Sequence, residues 1–237
     1  MFKKILFILA GVVALLLLVE IIALLQLKSH LKSYADYWKN LPNSGSFTYV
    51  ALGDSAAQGI GASKPQYGYV GLLSKYIQAQ TGQKVRVVNL SVSGAKIEDV
   101  LAKQIPQLQK YKADLVTVDI GANDVAGKYN STDFARKYDQ LAAALPAGTI
   151  VGNTPYFGGR IRHNTQALDA NKHIAASAQK YDLRVADLQT VTRAHNSLRV
   201  YAPDLFHPSN QGYKNWATAY EHAMSQPFLQ VTGTPRQ

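Results

Sequence analysis

From residue 47 onward, short β-rich runs alternate with segments of helical periodicity, and this alternation limits the possible folds more than any other feature. The predicted strands are Phe47–Leu52, Val85–Leu90, Leu115–Ile120, Thr149–Asn153 and Arg184–Leu188. The predicted helices are Tyr69–Gln80, Ile97–Tyr111 with a kink or early end at Pro106, Thr132–Leu145, Leu168–Tyr181 and Asn210–Ser225. Strands separated by helices pair in parallel. We therefore expect a parallel sheet covered by helices on both faces.

Three residues with chemical or conformational roles follow the first three predicted strands. They are Ser55, Gly94 and Asn123. Ligands of open α/β sheets bind beyond the carboxyl ends of the strands. The sequence therefore predicts a functional site at this edge of the sheet.

Ser55, His207 and Asp204 have the residue types of a nucleophile, its base and the group that orients the base. Asp204 lies three residues before His207, so one loop can carry both side chains. Each residue also has a plain structural alternative. Ser55 can cap a helix, and the Asp204–His207 pair can serve as a local cap.

An oxyanion needs hydrogen-bond donors that are already in position. The N–H groups of Ser55 and Gly94 and the carboxamide of Asn123 are the candidates. A tight turn at Gly94 and an Asx-turn at Asn123 are the structural alternatives.

Four sequence blocks, in this order, resemble those of the SGNH hydrolase family, also called GDSL-type esterases and lipases. The blocks are Gly53–Gly59, Asn89–Gly94, Gly121–Asp124 and Asp204–His207. The resemblance covers about residues 47–220 and departs from the eponymous motif at Ala56, where that motif has Leu. It implies a flavodoxin-like three-layer α/β/α sandwich with a five-stranded parallel sheet. It also implies a covalent acyl-enzyme without metal or cofactor, with Ser55, His207 and Asp204 as the triad and Ser55, Gly94 and Asn123 as the oxyanion hole.

An apolar stretch from Ile5 to Leu27, broken only by Glu20 and Gln26, precedes this domain. As a helix it would be about 34 Å long, enough to cross a bilayer core. It lacks a clear small-residue cleavage site, so we predict an uncleaved N-terminal transmembrane helix at residues 1–27. A tether at 28–46 and a catalytic domain at 47–237 follow. The basic flanks are nearly balanced, and the short leader favours a catalytic domain outside the cytoplasm.

The composition excludes several classes of protein. The chain has no Cys, which rules out disulfides, thiolate nucleophiles, Cys-based zinc sites and a lipoprotein anchor. Its net charge of +10 is spread without a basic run, so we expect no nucleic-acid partner. The remaining His residues form no metal-binding pattern, and we expect no metal.

These observations predict a membrane-anchored, monomeric serine ester hydrolase. Lysophospholipids, O-acylated cell-wall glycans and simple esters remain open as substrates. Two alternatives are an acyltransferase acting on envelope glycans and a non-catalytic envelope-binding module. Residues Tyr156–Asn164 follow the fourth strand and are candidates for lining the pocket. Arg160 and Arg162 within them are either anion ligands or solvated side chains.

Overall fold

The computed structural model describes residues 2–225, and it describes side chains from residue 9 onward. The strands are β1 Phe47–Gly53, β2 Val85–Asn89, β3 Leu115–Asp119, β4 Ile150–Gly152 and β5 Arg184–Ala186. The first helices are α1 Phe2–Lys39, α2 Ser55–Gln58, α3 Tyr69–Thr81, α4 Ile97–Asp99 and α5 Ile105–Leu108. The later helices are α6 Ala122–Ala126, α7 Ser131–Ala144, α8 Ile161–Lys180, α9 Leu188–Ala194 and α10 Asn210–Met224. Residues 226–237 of the predicted catalytic domain and the Lys3 and Lys4 side chains lie outside this description.

The five strands form one parallel sheet in the order β2-β1-β3-β4-β5. This is the flavodoxin-like order, and it places β1 and β3 side by side in the middle of the sheet. The predicted fold class, a three-layer sandwich preceded by an apolar helix, is confirmed. The carboxyl ends of β1 and β3 are adjacent because Gly53 pairs with Asp119.

Alternate residues of the central strands enter two separate cores, one on each face of the sheet. Val50 and Val118 lie in the core formed with α7 and α8. Tyr49 and Leu115 lie in the core formed with α3 and α10. All four of these side chains are buried, as expected for a sheet covered on both faces.

The predicted helix from Ile97 to Tyr111 is broken up and ends early, at Leu108. A π-helical turn, Val100–Gln104, separates α4 from α5, and the Ile105 N–H donates to the carbonyl of Val100. Pro106 follows this turn, has no N–H and would clash with the carbonyl four residues earlier. The wider π turn directly before the proline ring relieves that crowding.

Two other predicted boundaries differ from the structure by two residues or more. Helix α8 begins at Ile161, seven residues before the predicted start at Leu168. Strand β5 ends at Ala186 because Asp187 caps α9 by accepting a hydrogen bond from the Thr190 N–H. Helix α9 therefore occupies residues that the sequence pattern assigned in part to the strand.

The predicted tether at residues 28–46 is helical up to Lys39. Tyr34 and Trp38 are buried, and they are spaced so that both lie on one face of α1. The Tyr34 hydroxyl donates to the Ala62 carbonyl at 2.7 Å, and Trp38 Nε1 donates to the Gln58 carbonyl at 2.9 Å. These contacts fix the end of α1 against the catalytic domain.

The segment Leu9–Lys39 of α1 is long and apolar enough to cross a membrane, with a mean hydropathy of 2.6 in its most apolar part. None of the side chains in that part is buried. Signal sequences share this length and composition, so the property describes the helix and not its final location.

Candidate active site

Ser55 is the first residue of α2 and follows a sharp turn from β1 at Asp54. The Asp54 carboxylate caps α2 by accepting from the Ala56 N–H at 2.9 Å. Gly53 has a φ of +142°, and a Cβ there would lie 2.2 Å from the Asp119 carbonyl oxygen. Only glycine fits this close strand-to-strand approach. The sequence Gly53-Asp54-Ser55 therefore holds the serine at the carboxyl end of β1.

The structure brings the three predicted triad residues into contact. Ser55 Oγ lies 2.9 Å from His207 Nε2, and His207 Nδ1 lies 2.5 Å from Asp204 Oδ2. Ser55 and His207 are 152 positions apart in the chain, so their contact is set by the fold. A carboxylate on Nδ1 favours the tautomer that leaves Nε2 free to accept the serine proton.

The loop that carries Asp204 and His207 is held by its own backbone. Asp204 Oδ1 accepts from the N–H groups of Phe206 and His207, both at 3.0 Å, and Leu205 adopts a φ of 52°. Burial acts to raise the pKa of Asp204. The hydrogen bonds from the His207 ring and from the two N–H groups outweigh it and leave the pKa below its usual value. Asp204 is therefore ionised beside the imidazole at neutral pH.

The candidate oxyanion donors differ in how free they are. Within residues 2–225, neither the Ser55 N–H nor the Gly94 N–H donates to another group. Gly94 has a φ of +79°, and a Cβ there would meet nothing within 4 Å, so its backbone is open to a ligand. Asn123 Nδ2 instead donates to Asp54 Oδ2 and to the Ala95 carbonyl, each at 3.0 Å. An oxyanion contact from Asn123 requires one of these bonds to be exchanged for the substrate oxygen.

Two buried glutamines that the sequence analysis missed hold these parts together. Gln58 Nε2 donates to the Ser91 carbonyl at 2.9 Å, and Gln58 Oε1 accepts from Ser93 Oγ at 2.5 Å. This carboxamide connects α2, which begins at Ser55, to the loop that ends at Gly94. Gln104 bonds both the N–H and the carbonyl of Gly53 at 2.8 Å. Gln104 lies in the π turn, which the sequence did not indicate, and this position directs its side chain toward the end of β1.

Two carboxyl groups lie buried behind Ser55. Burial raises the pKa of Asp54 to about 6, against the effect of the Ala56 N–H and of His207. Burial also raises the pKa of Asp119 well above its usual value, and the charge of Asp54 raises it further. Like charges in one apolar region disfavour each other's ionisation. The net negative charge near the nucleophile is therefore smaller than the number of carboxyl groups suggests.

A pocket opens beside Ser55 and His207. Aromatic and aliphatic side chains form much of its wall, among them Tyr156, Phe157, Tyr201, Phe206 and Trp216. Arg160 also lines the pocket, and its Nη1 donates to the Leu205 carbonyl at 3.0 Å. Arg162 is exposed and is not part of this wall. The pocket is suited to an acyl chain or another apolar group next to the serine.

No cluster of three or more His, Cys, Asp or Glu side chains suited to a metal ion occurs among the residues that the structure describes.

The α/β fold and the contacts among Ser55, His207 and Asp204 indicate the class of this protein. Its architecture is that of a serine hydrolase. Residues 51–214 match the model of the GDSL-like Lipase/Acylhydrolase family, and the chain belongs to this family. The family is described as one of lipases and acylhydrolases.

The chain is also similar to individual proteins in sequence or in fold. The chain is 38% identical to Esterase TesA of Pseudomonas aeruginosa over 77 residues, which are 32% of this chain and 37% of that protein. The match thus spans little more than a third of the relative's length. The lipase/acylhydrolase from Enterococcus faecalis has a similar fold, with a TM-score of 0.63 at 20% identity over 81% of this chain and 99% of the other. Axe2, an acetylxylan esterase from Geobacillus stearothermophilus, has a TM-score of 0.59 at 22% identity over 79% of this chain and 98% of the other.

Proposed function

We propose that this chain hydrolyses carboxylic esters through an acyl-enzyme intermediate on Ser55. The observation that carries the proposal is the continuous series of contacts from Ser55 Oγ through the His207 ring to Asp204, with separations of 2.9 and 2.5 Å. A serine hydroxyl is a weak nucleophile until a base lies within hydrogen-bond reach. These contacts supply that base and its orienting carboxylate.

In acylation, Ser55 Oγ attacks the ester carbonyl carbon while its proton passes to His207 Nε2. The imidazolium that forms is stabilised by the ionised Asp204 on Nδ1. The tetrahedral intermediate then breaks its bond to the alcohol oxygen, and His207 returns the proton to that oxygen. Water repeats the sequence on the acyl-enzyme and releases the carboxylic acid.

Negative charge develops on the carbonyl oxygen during both steps. The N–H groups of Ser55 and Gly94 are the donors available at once, and Asn123 adds a donor when its bond to Asp54 or Ala95 is exchanged. Donors that are fixed before the reaction stabilise the transition state without reorganisation. Their contribution is therefore expected in kcat more than in KM.

The proposal for location is a single-helix anchor. Residues 1–27 span the membrane uncleaved, and the catalytic domain, from residue 47 onward, lies outside the cytoplasm as a monomer. The exposed apolar surface of α1 from Leu9 supports an anchor because such a surface is stable in lipid and not in water.

The test is ester turnover by wild type, Ser55→Ala and His207→Ala, with Ser225→Ala as a matched control at an exposed serine. Both site variants should lose turnover of a p-nitrophenyl ester to a similar degree because the triad acts as a unit. The control should retain it. A folded Ser55→Ala variant with wild-type turnover would refute the proposal.

A further inference from the structure

Helix α1 leaves the catalytic domain at the edge of the sheet that carries the active site. Tyr34 bonds Ala62 and Trp38 bonds Gln58, and both partners follow the carboxyl end of β1. Further along the chain, Ser44 accepts a hydrogen bond from Lys84, which precedes β2 at the opposite edge. The chain therefore runs from the carboxyl edge to the amino edge between residues 34 and 44. The apolar part of α1, which precedes Tyr34, projects beyond the carboxyl edge.

The exit point of α1 adjoins the catalytic loop. Ala62, the partner of Tyr34, follows Gly61, and a Cβ on Gly61 would lie 2.8 Å from His207 Cβ and 2.4 Å from the Pro208 carbonyl oxygen. The apolar stretch ends at Leu27, seven residues before Tyr34, which is a rise of about 10 Å in a helix. A bilayer crossed by α1 thus lies close to the mouth of the active site.

The carboxyl edge also carries exposed apolar side chains on loops, on a short 3-10 turn and at the start of α8. They are Val92 at 50% exposure, Ile161 at 81%, Leu198 at 78% and Leu205 at 49%, and they are called the rim below. Val92 follows β2, Ile161 follows β4, and the other two belong to the connection between α9 and His207. Apolar side chains gathered at one edge of a molecule mark an interaction surface.

Charges near the rim complement an anionic surface. Lys64, Arg162 and Arg199 are exposed on loops or helix ends of the same edge, and Lys28 and Lys32 are exposed just beyond the apolar stretch of α1. Basic side chains next to a membrane span are attracted to anionic lipid headgroups. An exposed carboxylate at this edge, Asp187, is engaged locally by Asn153 and by the Thr190 N–H.

We propose that the rim rests on the leaflet from which α1 emerges, with the catalytic pocket facing the lipid. The partner that binds the rim is an anionic lipid bilayer. The proposal extends to the substrate, and that part rests on the proposed function. The pocket receives acyl esters of amphiphiles that reside in this leaflet, and the rigid end of α1 sets the height at which they meet Ser55.

The orientation can be measured without any activity. The chain has no Cys, so single-cysteine variants Ile161→Cys and Leu198→Cys place one fluorophore on the rim of the full-length protein. Ala147→Cys, exposed in the loop before β4, is the matched control at the amino edge. In nanodiscs of phosphatidylcholine and phosphatidylglycerol, spin-labelled lipid should quench both rim positions several-fold more than position 147. Equal quenching at both edges, or a chain that does not insert through α1, would overturn the proposal.

The substrate part has a separate readout. The double variant Ile161→Asp with Leu198→Asp should lower hydrolysis of p-nitrophenyl palmitate held in the same nanodiscs by about tenfold relative to wild type. Turnover of soluble p-nitrophenyl acetate should stay within about twofold, since neither residue lines the pocket. An equal effect on both esters, or none on either, would contradict a lipid-facing site. A wild type that cleaves neither ester would instead refute the proposed function, while the quenching result still decides the orientation.

Discussion

Replacing Gln58 with leucine tests whether the link between α2 and the Gly94 loop positions the oxyanion donor. Gln58 is only 4% exposed, and its carboxamide bonds the Ser91 carbonyl and the Ser93 hydroxyl. Leucine fills a similar volume but removes both bonds, so the Ser91 carbonyl oxygen loses the donor that Gln58 supplies. The free energy of unfolding should fall by about 1–3 kcal/mol.

The same substitution should lower kcat by about 10- to 100-fold. A displacement of about 1 Å in a catalytic group costs up to about 10²-fold, and the loop freed by Gln58→Leu carries the Gly94 N–H. That range corresponds to about 1.4–2.7 kcal/mol of transition-state stabilisation. KM should change less, because the oxyanion exists only in the transition state and the intermediates. Gln58 is thus a positioning residue, since it acts through Gly94 and Ser55.

Steady-state kinetics on a soluble p-nitrophenyl ester, together with urea unfolding, separate the two effects. Gln107→Leu is the matched control, because Gln107 is exposed and bonds only the Lys103 carbonyl within its own helical segment. The control should keep both kcat and stability. A folded Gln58→Leu variant with unchanged kcat would refute the idea that this carboxamide positions the donor.

Four further results are expected. Asp204→Asn should lower kcat by about 10⁴-fold, because an amide nitrogen facing His207 Nδ1 favours the wrong tautomer; a loss below tenfold in steady-state assays would argue against the triad. Asn123→Ala should lower kcat by about 10²–10³-fold in the same assay, and unchanged turnover would remove Asn123 from the oxyanion site. Burial raises the pKa of Asp124 to about 6, so the folded protein favours its protonated form. Wild type should therefore lose about 2 kcal/mol of unfolding free energy relative to Asp124→Asn as the pH rises from 4 to 6, whereas a difference independent of pH in urea titrations would contradict that pKa. Turnover should survive EDTA, because every proposed step uses side chains and backbone N–H groups; inactivation reversed by a divalent cation would indicate another mechanism.

The sequence predicted the sheet and the contacts of the site for a physical reason. Parallel strands place their carboxyl ends at one edge, so Ser55 and Gly94 had to lie near each other once the strands were assigned. The three-residue spacing of Asp204 and His207 predicted a local pair, and the structure has it. The roles of these residues in catalysis stay predictions.

Other features depend on contacts that no local pattern reveals. The sequence predicted a tether at residues 28–46, and no local pattern indicated that α1 continues to Lys39 with Tyr34 and Trp38 buried against the domain. The roles of Gln58 and Gln104 arise from partners that are 33 to 51 positions away. A glutamine in a helix is ordinarily a surface residue, so nothing in the sequence distinguished these two.

The most direct test of the central claim is to locate the covalent adduct of a fluorophosphonate by mass spectrometry of the digested protein. The probe forms a stable bond with an activated serine and reports the nucleophile without assuming a substrate. We predict that the adduct lies on Ser55 in wild type, that labelling disappears in Ser55→Ala, and that Ser225→Ala labels like wild type. An adduct on another residue, or undiminished labelling of a folded Ser55→Ala variant, would contradict the account.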